Sequence, residues 1–110
     1  MRARIRHELK CWPEFFEPTM RATKRFELRR DDREGGFQVG DELLLKEWGH
    51  GLLHRFFGDQ SLCYTGREVL LRVDYIMDAE TLEILMRGDN QRFFSPTPPG
   101  FVIMSVSRVN

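Results

Sequence analysis

The sequence predicts an α+β domain on a small, strongly curved sheet or β-barrel of about five to six strands, with one or two short helices. Three observations lead there. Several short segments carry the two-residue alternation of strands. The helix-like stretches are brief and are bounded by proline or glycine. A length of 110 residues supplies one core and not two, so a single domain over 1–110 is expected. Curling or closing such a sheet protects its edges.

Ile5 to Cys11 reads as the first strand. Trp12-Pro13-Glu14 opens a helix, because proline suits the first helical position. Phe15, Phe16, Thr19 and Met20 form one side of it, and Pro18 removes an amide donor, so a kink or restart is expected before an end near Ala22. In the next strand, Lys24–Arg30, Phe26 and Leu28 share one face and Arg25, Glu27 and Arg29 the other. Hydrophobicity assigns the first pair to the core. The charged stripe then faces solvent or a polar ligand, with Glu27 roughly 7 Å from each arginine.

Asp31 to Gly36 is a polar loop, and Gln38-Val39-Gly40-Asp41 turns into the strand Glu42–Trp48, where Leu43-Leu44-Leu45 suits burial. Residues 49–66, with four glycines, read as a long connection. The strand Arg67–Met77 alternates Val69, Leu71, Val73 and Tyr75 against Glu68, Arg72 and Asp74. Asp78 caps a short helix over 79–87 with Leu82, Leu85 and Met86 as its apolar stripe, and Gly88 ends it. Residues 89–100 are proline-rich loop, and Phe101–Val109 is the last strand.

The chain has 17 basic and 17 acidic residues, which argues against indiscriminate coating of nucleic acid. Residues 1–33 nevertheless carry a net +4 and the remainder −4, so the first third offers a local surface for anions. No apolar run approaches the roughly 20 residues of a membrane span. Arg2, Arg4 and Arg6 lead into Glu8 and Lys10, not an apolar signal segment, and a cytoplasmic protein is expected. Cys11 and Cys63 suggest no disulfide framework. His50, His54 and Cys63 lack a compact fourth ligand, so neither a metal nor a cofactor is expected.

Ala22-x-Lys24-x-x-Glu27-x-Arg29 resembles the G-x-K-x-x-E-x-R signature of the ASCH superfamily, whose fold is a PUA-like β-barrel. The opening His7-x-Leu9-Lys10-x-Trp12-Pro13-Glu14-x-Phe16 is similar to one ASCH-like domain-of-unknown-function family of bacteria and phages. Phe37-Gln38-Val39-Gly40-Asp41, Tyr64-Thr65-Gly66-Arg67-Glu68-Val69 and Gly100-Phe101-Val102-Ile103 match it in order. The resemblance implies a cleft between helix and barrel, with RNA or a nucleotide as partner. By position, Lys24, Glu27 and Arg29 line that cleft, with Lys10 and Trp12 beside them. Arg29 suits a bidentate phosphate and Lys24 a point charge. Glu27 suits an exocyclic base amine, and Trp12 an unpaired base.

Ala22 replaces the signature glycine, so its turn either avoids the left-handed region or carries strain. Two other functions stay open. Some ASCH proteins resemble amidohydrolases acting on N-acylated cytidine; Lys24 matches their lysine, but Glu27 stands where a threonine is expected, and Glu80 and Glu83 are the later acid candidates. The apolar loops Leu52–Phe57 and Phe93-Phe94 suit a protein-interaction module.

Overall fold

The computed structural model describes residues 3–50, 61–78 and 100–109. In chain order they form β1 (Arg6–Cys11), α1 (Pro13–Met20), β2 (Phe26–Arg30), β3 (Glu42–His50), β4 (Leu62–Asp78) and β5 (Phe101–Arg108). The strands make one sheet in the order β1-β3-β4-β5-β2. β1 runs parallel to β3, and the other pairings are antiparallel. This is a small α+β architecture dominated by its sheet. Among the described residues no helix is long and apolar enough to cross a membrane. The expected helix over 79–87, Glu80, Glu83, His54 and both phenylalanine pairs lie outside the described residues.

Alternation builds the core. Leu9 and Cys11 of β1, Leu43 and Leu45 of β3, Val69, Leu71 and Val73 of β4, and Val102, Met104 and Val106 of β5 all point inward. Phe16, the fully buried residue of α1, completes this core from the helix side. A Cβ at Gly49 of β3 would come within 2.7 Å of Pro13, so only glycine admits the start of α1 this close to the strand. His7 and Asp41 are buried together, with Nε2 of the histidine 2.9 Å from Oδ2. Asp41 also accepts from the Ile5 and Gln38 amides, which ties the turn before β3 to the start of β1.

Two irregularities in β4 change what the pattern predicted. The segment 49–66 is not all connection: β3 continues to His50, and β4 begins at Leu62. Lys46 pairs with Glu68 and Trp48 with Tyr64, so β4 carries extra residues opposite Glu47. Gly66 lies in that bulge with φ +95°, a conformation strands otherwise avoid. A second bulge follows, where Val73 pairs with Val106 but Tyr75 with Ser105. It reverses the alternation. Tyr75, expected inside, is 61% exposed, and Ile76 packs against the core in its place.

The face assignment of β2 is also corrected. Phe26 and Leu28 are half exposed, whereas Glu27 is 3% exposed. The buried side of the strand is the charged one, because two cations accompany the carboxylate inward. α1 is one helix through Pro18 and ends at Met20, earlier than expected. Ala22 then adopts φ +59°, and the Ala22 and Thr23 amides donate to the carbonyls of Thr19 and Pro18. That pair of bonds is a Schellman closure, which ordinarily takes glycine at this position. The strain is absorbed, not avoided.

Among the described residues β1 and β2 are the two edges of the sheet, with no ladder between them. Ile5 directs its carbonyl to β3, so the carbonyls of Glu8 and Lys10 face the free edge. Each accepts from an arginine that reaches across: Arg33 Nη2 to Glu8 at 2.9 Å, and Arg29 Nη2 to Lys10 at 3.0 Å. Arg29 of β2 and Arg33 of the loop that follows it therefore reach the edge of β1 where strand pairing would close the sheet.

Candidate functional site

At this seam lies an open cleft of about 760 Å³. The end of β1 supplies Lys10 and Cys11, the start of α1 supplies Trp12 and Phe15, and the following turn supplies Thr23 and Lys24. β2 contributes Phe26 to Arg29. All five residues singled out from sequence, Lys10, Trp12, Lys24, Glu27 and Arg29, line this one space.

Glu27 organises its floor. Lys24 Nζ donates to Oε1 at 2.8 Å, and Arg29 Nε donates to Oε2 at 3.0 Å. Lys24 donates also to the Phe26 carbonyl at 2.8 Å, an acceptor on the free edge of β2. Arg29 is fixed at a second point by its bond to Lys10. Such charge-assisted contacts are short and directional. The side chains of Lys24 and Arg29 remain 16% and 25% exposed, so the carboxylate is covered while the cations meet the cleft. Arg29 Nη1 has no protein acceptor among the described residues, which leaves the guanidinium a donor for a ligand.

The walls are aromatic. Trp12, Phe15 and Phe26 are 45%, 51% and 52% exposed, and Leu28 lies beside them. Trp12 sits at the N-cap of α1, where it supplies a carbonyl to the first helical amides but no side-chain cap. Its ring is free to face the cleft instead of the core. Lys10 Nζ stands 4.0 Å above the ring of Trp48, on the outer side of β1 and β3.

Cys11 was not singled out as a site residue, yet it borders the cleft. Burial pushes its thiol up to about 11; Glu27 adds to that, while Arg29 and Lys24 oppose it. The thiol is therefore a protonated, weakly nucleophilic group at neutral pH. Phe15 and Phe26 were also missed as walls. Phe15 lies one helical turn from Trp12, a signal in the sequence; the outward turn of Phe26 follows only from the burial of Glu27.

Arg67 does not join this cleft. It hydrogen-bonds Glu17 of α1 and lies over the Phe16 ring, with Glu47 of β3 at 3.7 Å. Its guanidinium holds the Glu17 carboxyl below its ordinary value. The buried Glu47 accepts from Thr65 at 2.7 Å, and the bulge at Gly66 aims both β4 residues at it. This cluster fastens the helix to the sheet. No group of three or more His, Cys, Asp or Glu among the described residues is arranged to hold a metal ion, and Cys11 and Cys63 are free thiols.

Residues 6–86 match the domain-of-unknown-function family DUF3850. The chain belongs to that family. Every residue lining the cleft lies within the matched DUF3850 segment. An uncharacterized 12.9 kDa protein in the GpA 3′ region of Escherichia phage P2 is similar, 33% identical over 78 residues. The alignment covers 71% of this DUF3850 chain and 59% of the phage protein, so the chain spans little more than half of that relative.

Proposed function

We propose that the cleft binds RNA or a free nucleotide, with Lys24 and Arg29 on a phosphate and a base against Trp12 or Phe15. The observation that carries this reading is the clamped pair of cations beside open aromatic walls. The cleft has a volume ordinary for small-ligand sites, which run from roughly 300 to 1,000 Å³. With Glu27 already engaged by Lys24 and Arg29, the floor offers donors more than acceptors. That favours a phosphate there over an exocyclic amine read by Glu27. The ASCH-like assignment, a PUA-like barrel in a cytoplasmic binding protein, belongs to the same proposal. Its support is the Lys24-x-x-Glu27-x-Arg29 spacing, whose side chains converge on one carboxylate, together with the arginine contacts to β1 from β2 and from the loop after it.

The amidohydrolase alternative has less behind it. Lys24 Nζ is committed as a donor to two acceptors, and the position expected for a threonine holds the buried Glu27. Turnover of N-acetylcytidine, followed by chromatography, would restore it.

Fluorescence anisotropy with a labelled single-stranded RNA tests the binding reading. Each lost charge-assisted bond is worth roughly 1.5–3 kcal/mol, so Lys24→Ala or Arg29→Ala should weaken binding by about tenfold or more. Indifferent millimolar binding by wild type and both variants would refute it.

A further inference from the structure

Lys10 belongs to two surfaces at once. It borders the cleft, and its Nζ lies over Trp48 on the outer face of the sheet. Trp48 meets Tyr64 edge to face, with centroids 4.8 Å apart, and Lys46 Nζ stands 5.3 Å from the Tyr64 centroid. The bulge between β3 and β4 creates this pairing, because its extra residues seat Tyr64 across from Trp48. Tyr64 is 49% exposed. Glu8 approaches Lys46 at 3.6 Å, whereas Lys10 has no carboxylate partner among the described residues. Two ammonium groups on flexible stems thus flank an aromatic pair of which Tyr64 is exposed and Trp48 half-buried, and Lys10 also borders the cleft.

We propose that this strip is a second subsite, for the nucleotide next to the one in the cleft, and that the ligand is therefore a single-stranded RNA segment and not a mononucleotide. The proposal rests on the reading of the cleft as a nucleotide site. Lys10 takes the phosphate that joins the two nucleotides, the second base stacks on Tyr64, and Lys46 meets the phosphate beyond. Alternating cations and open rings recognise a single strand without reading its sequence, because every base has a face to stack. A duplex fits poorly, since its bases are already stacked on one another.

The test compares uridine monophosphate with an unstructured eight-nucleotide oligouridylate, each titrated into wild type, Tyr64→Ser, Lys46→Gln and Lys24→Ala. Wild type should bind the oligonucleotide at least about fivefold more tightly, the lower end of what one stacked base contributes. Tyr64→Ser and Lys46→Gln should remove most of that gain while leaving the mononucleotide affinity unchanged. Lys46→Gln should also reduce the salt dependence by about 0.7 in log–log slope, the value for one phosphate on a single strand. The surface substitution Lys46→Gln keeps the test informative if Tyr64→Ser folds poorly. Equal affinity for the two ligands, or a gain that survives both variants, overturns the second subsite and leaves the cleft standing. Wild type that binds neither ligand, or a Lys24→Ala variant that binds both unchanged, overturns the cleft and this proposal with it.

Discussion

Asp41 and Glu27 are carboxylates with almost no exposed surface, 1% and 3%, yet their partners differ in kind. Asp41 is held by the amides of Ile5 and Gln38 and by the buried ring of His7, which itself packs on Phe37. Two of these donors are backbone amides and the third is a buried ring. Glu27 is held by two flexible cationic side chains that border an open cleft. The first arrangement fastens chain segments distant in sequence. The second fixes the positions of two cations whose remaining N–H groups face outward. Burial alone does not separate a structural carboxylate from one that builds a site; whether its partners are fixed backbone groups or cationic side chains bordering a cleft does.

Asp41→Ala should have the largest effect on stability, because it strands three donors at once, the buried His7 ring among them. A loss of roughly 3–5 kcal/mol is expected in urea denaturation. Glu27→Ala should cost less, about 1–3 kcal/mol, since Lys24 and Arg29 can turn to water. It should nevertheless weaken RNA binding, by releasing the cations from their positions. An Asp41→Ala loss no greater than that of Glu27→Ala would erase the distinction between the two carboxylates.

Ala22→Gly sharpens the same comparison at the turn that delivers Lys24. Relief of the left-handed strain at φ +59° should stabilise the fold by about 1 kcal/mol. The Schellman bonds of Thr19 and Pro18 should survive, so RNA affinity should not change. A destabilised Ala22→Gly protein would mean that this turn is not strained.

Cys11 reports on Glu27 directly. Its thiol is raised from 9.0 to about 11 in the folded protein, so the folded state holds its proton longer than the unfolded chain. Stability from this group is complete below pH 9 and declines as pH rises toward about 11. Glu27→Gln removes one of the causes and should lower the thiol pKa, speeding iodoacetamide alkylation at fixed alkaline pH. The exposed Cys63 provides the internal reference in mass spectrometry. Unchanged Cys11 reactivity would show that Glu27 does not act on it.

Much of the sheet was legible from the apolar run of β3 and the alternation of β5, whose Val102, Met104 and Val106 share the buried face, although β3 buries Leu43 and Leu45 and leaves Leu44 half-buried. β4 was legible only between its bulges. Thr65 and Gly66 look like a turn, and no sequence period announces that a residue is inserted before Tyr75. β2 was misread for a different reason. Its two faces carry an apolar set and a charged set, and a hydrophobicity rule must bury the apolar one. Neutralisation of Glu27 by Lys24 and Arg29 reverses that preference, and it depends on where the cations go after folding. The candidate site residues were placed together by family resemblance; Cys11, Phe15 and Phe26 came into view only with the seam between β1 and β2.

The most direct test is a nitrogen-15 NMR titration with uridine monophosphate. The Trp12 indole N–H and the Arg29 Nε–H should shift on binding, the Ile5 and Gln38 amides around Asp41 should stay in place, and Lys24→Ala should move the titration to about tenfold higher nucleotide concentration or beyond. Unmoved Trp12 and Arg29 resonances at millimolar nucleotide, or an equal response in Lys24→Ala, would contradict the assignment of this cleft as the binding site.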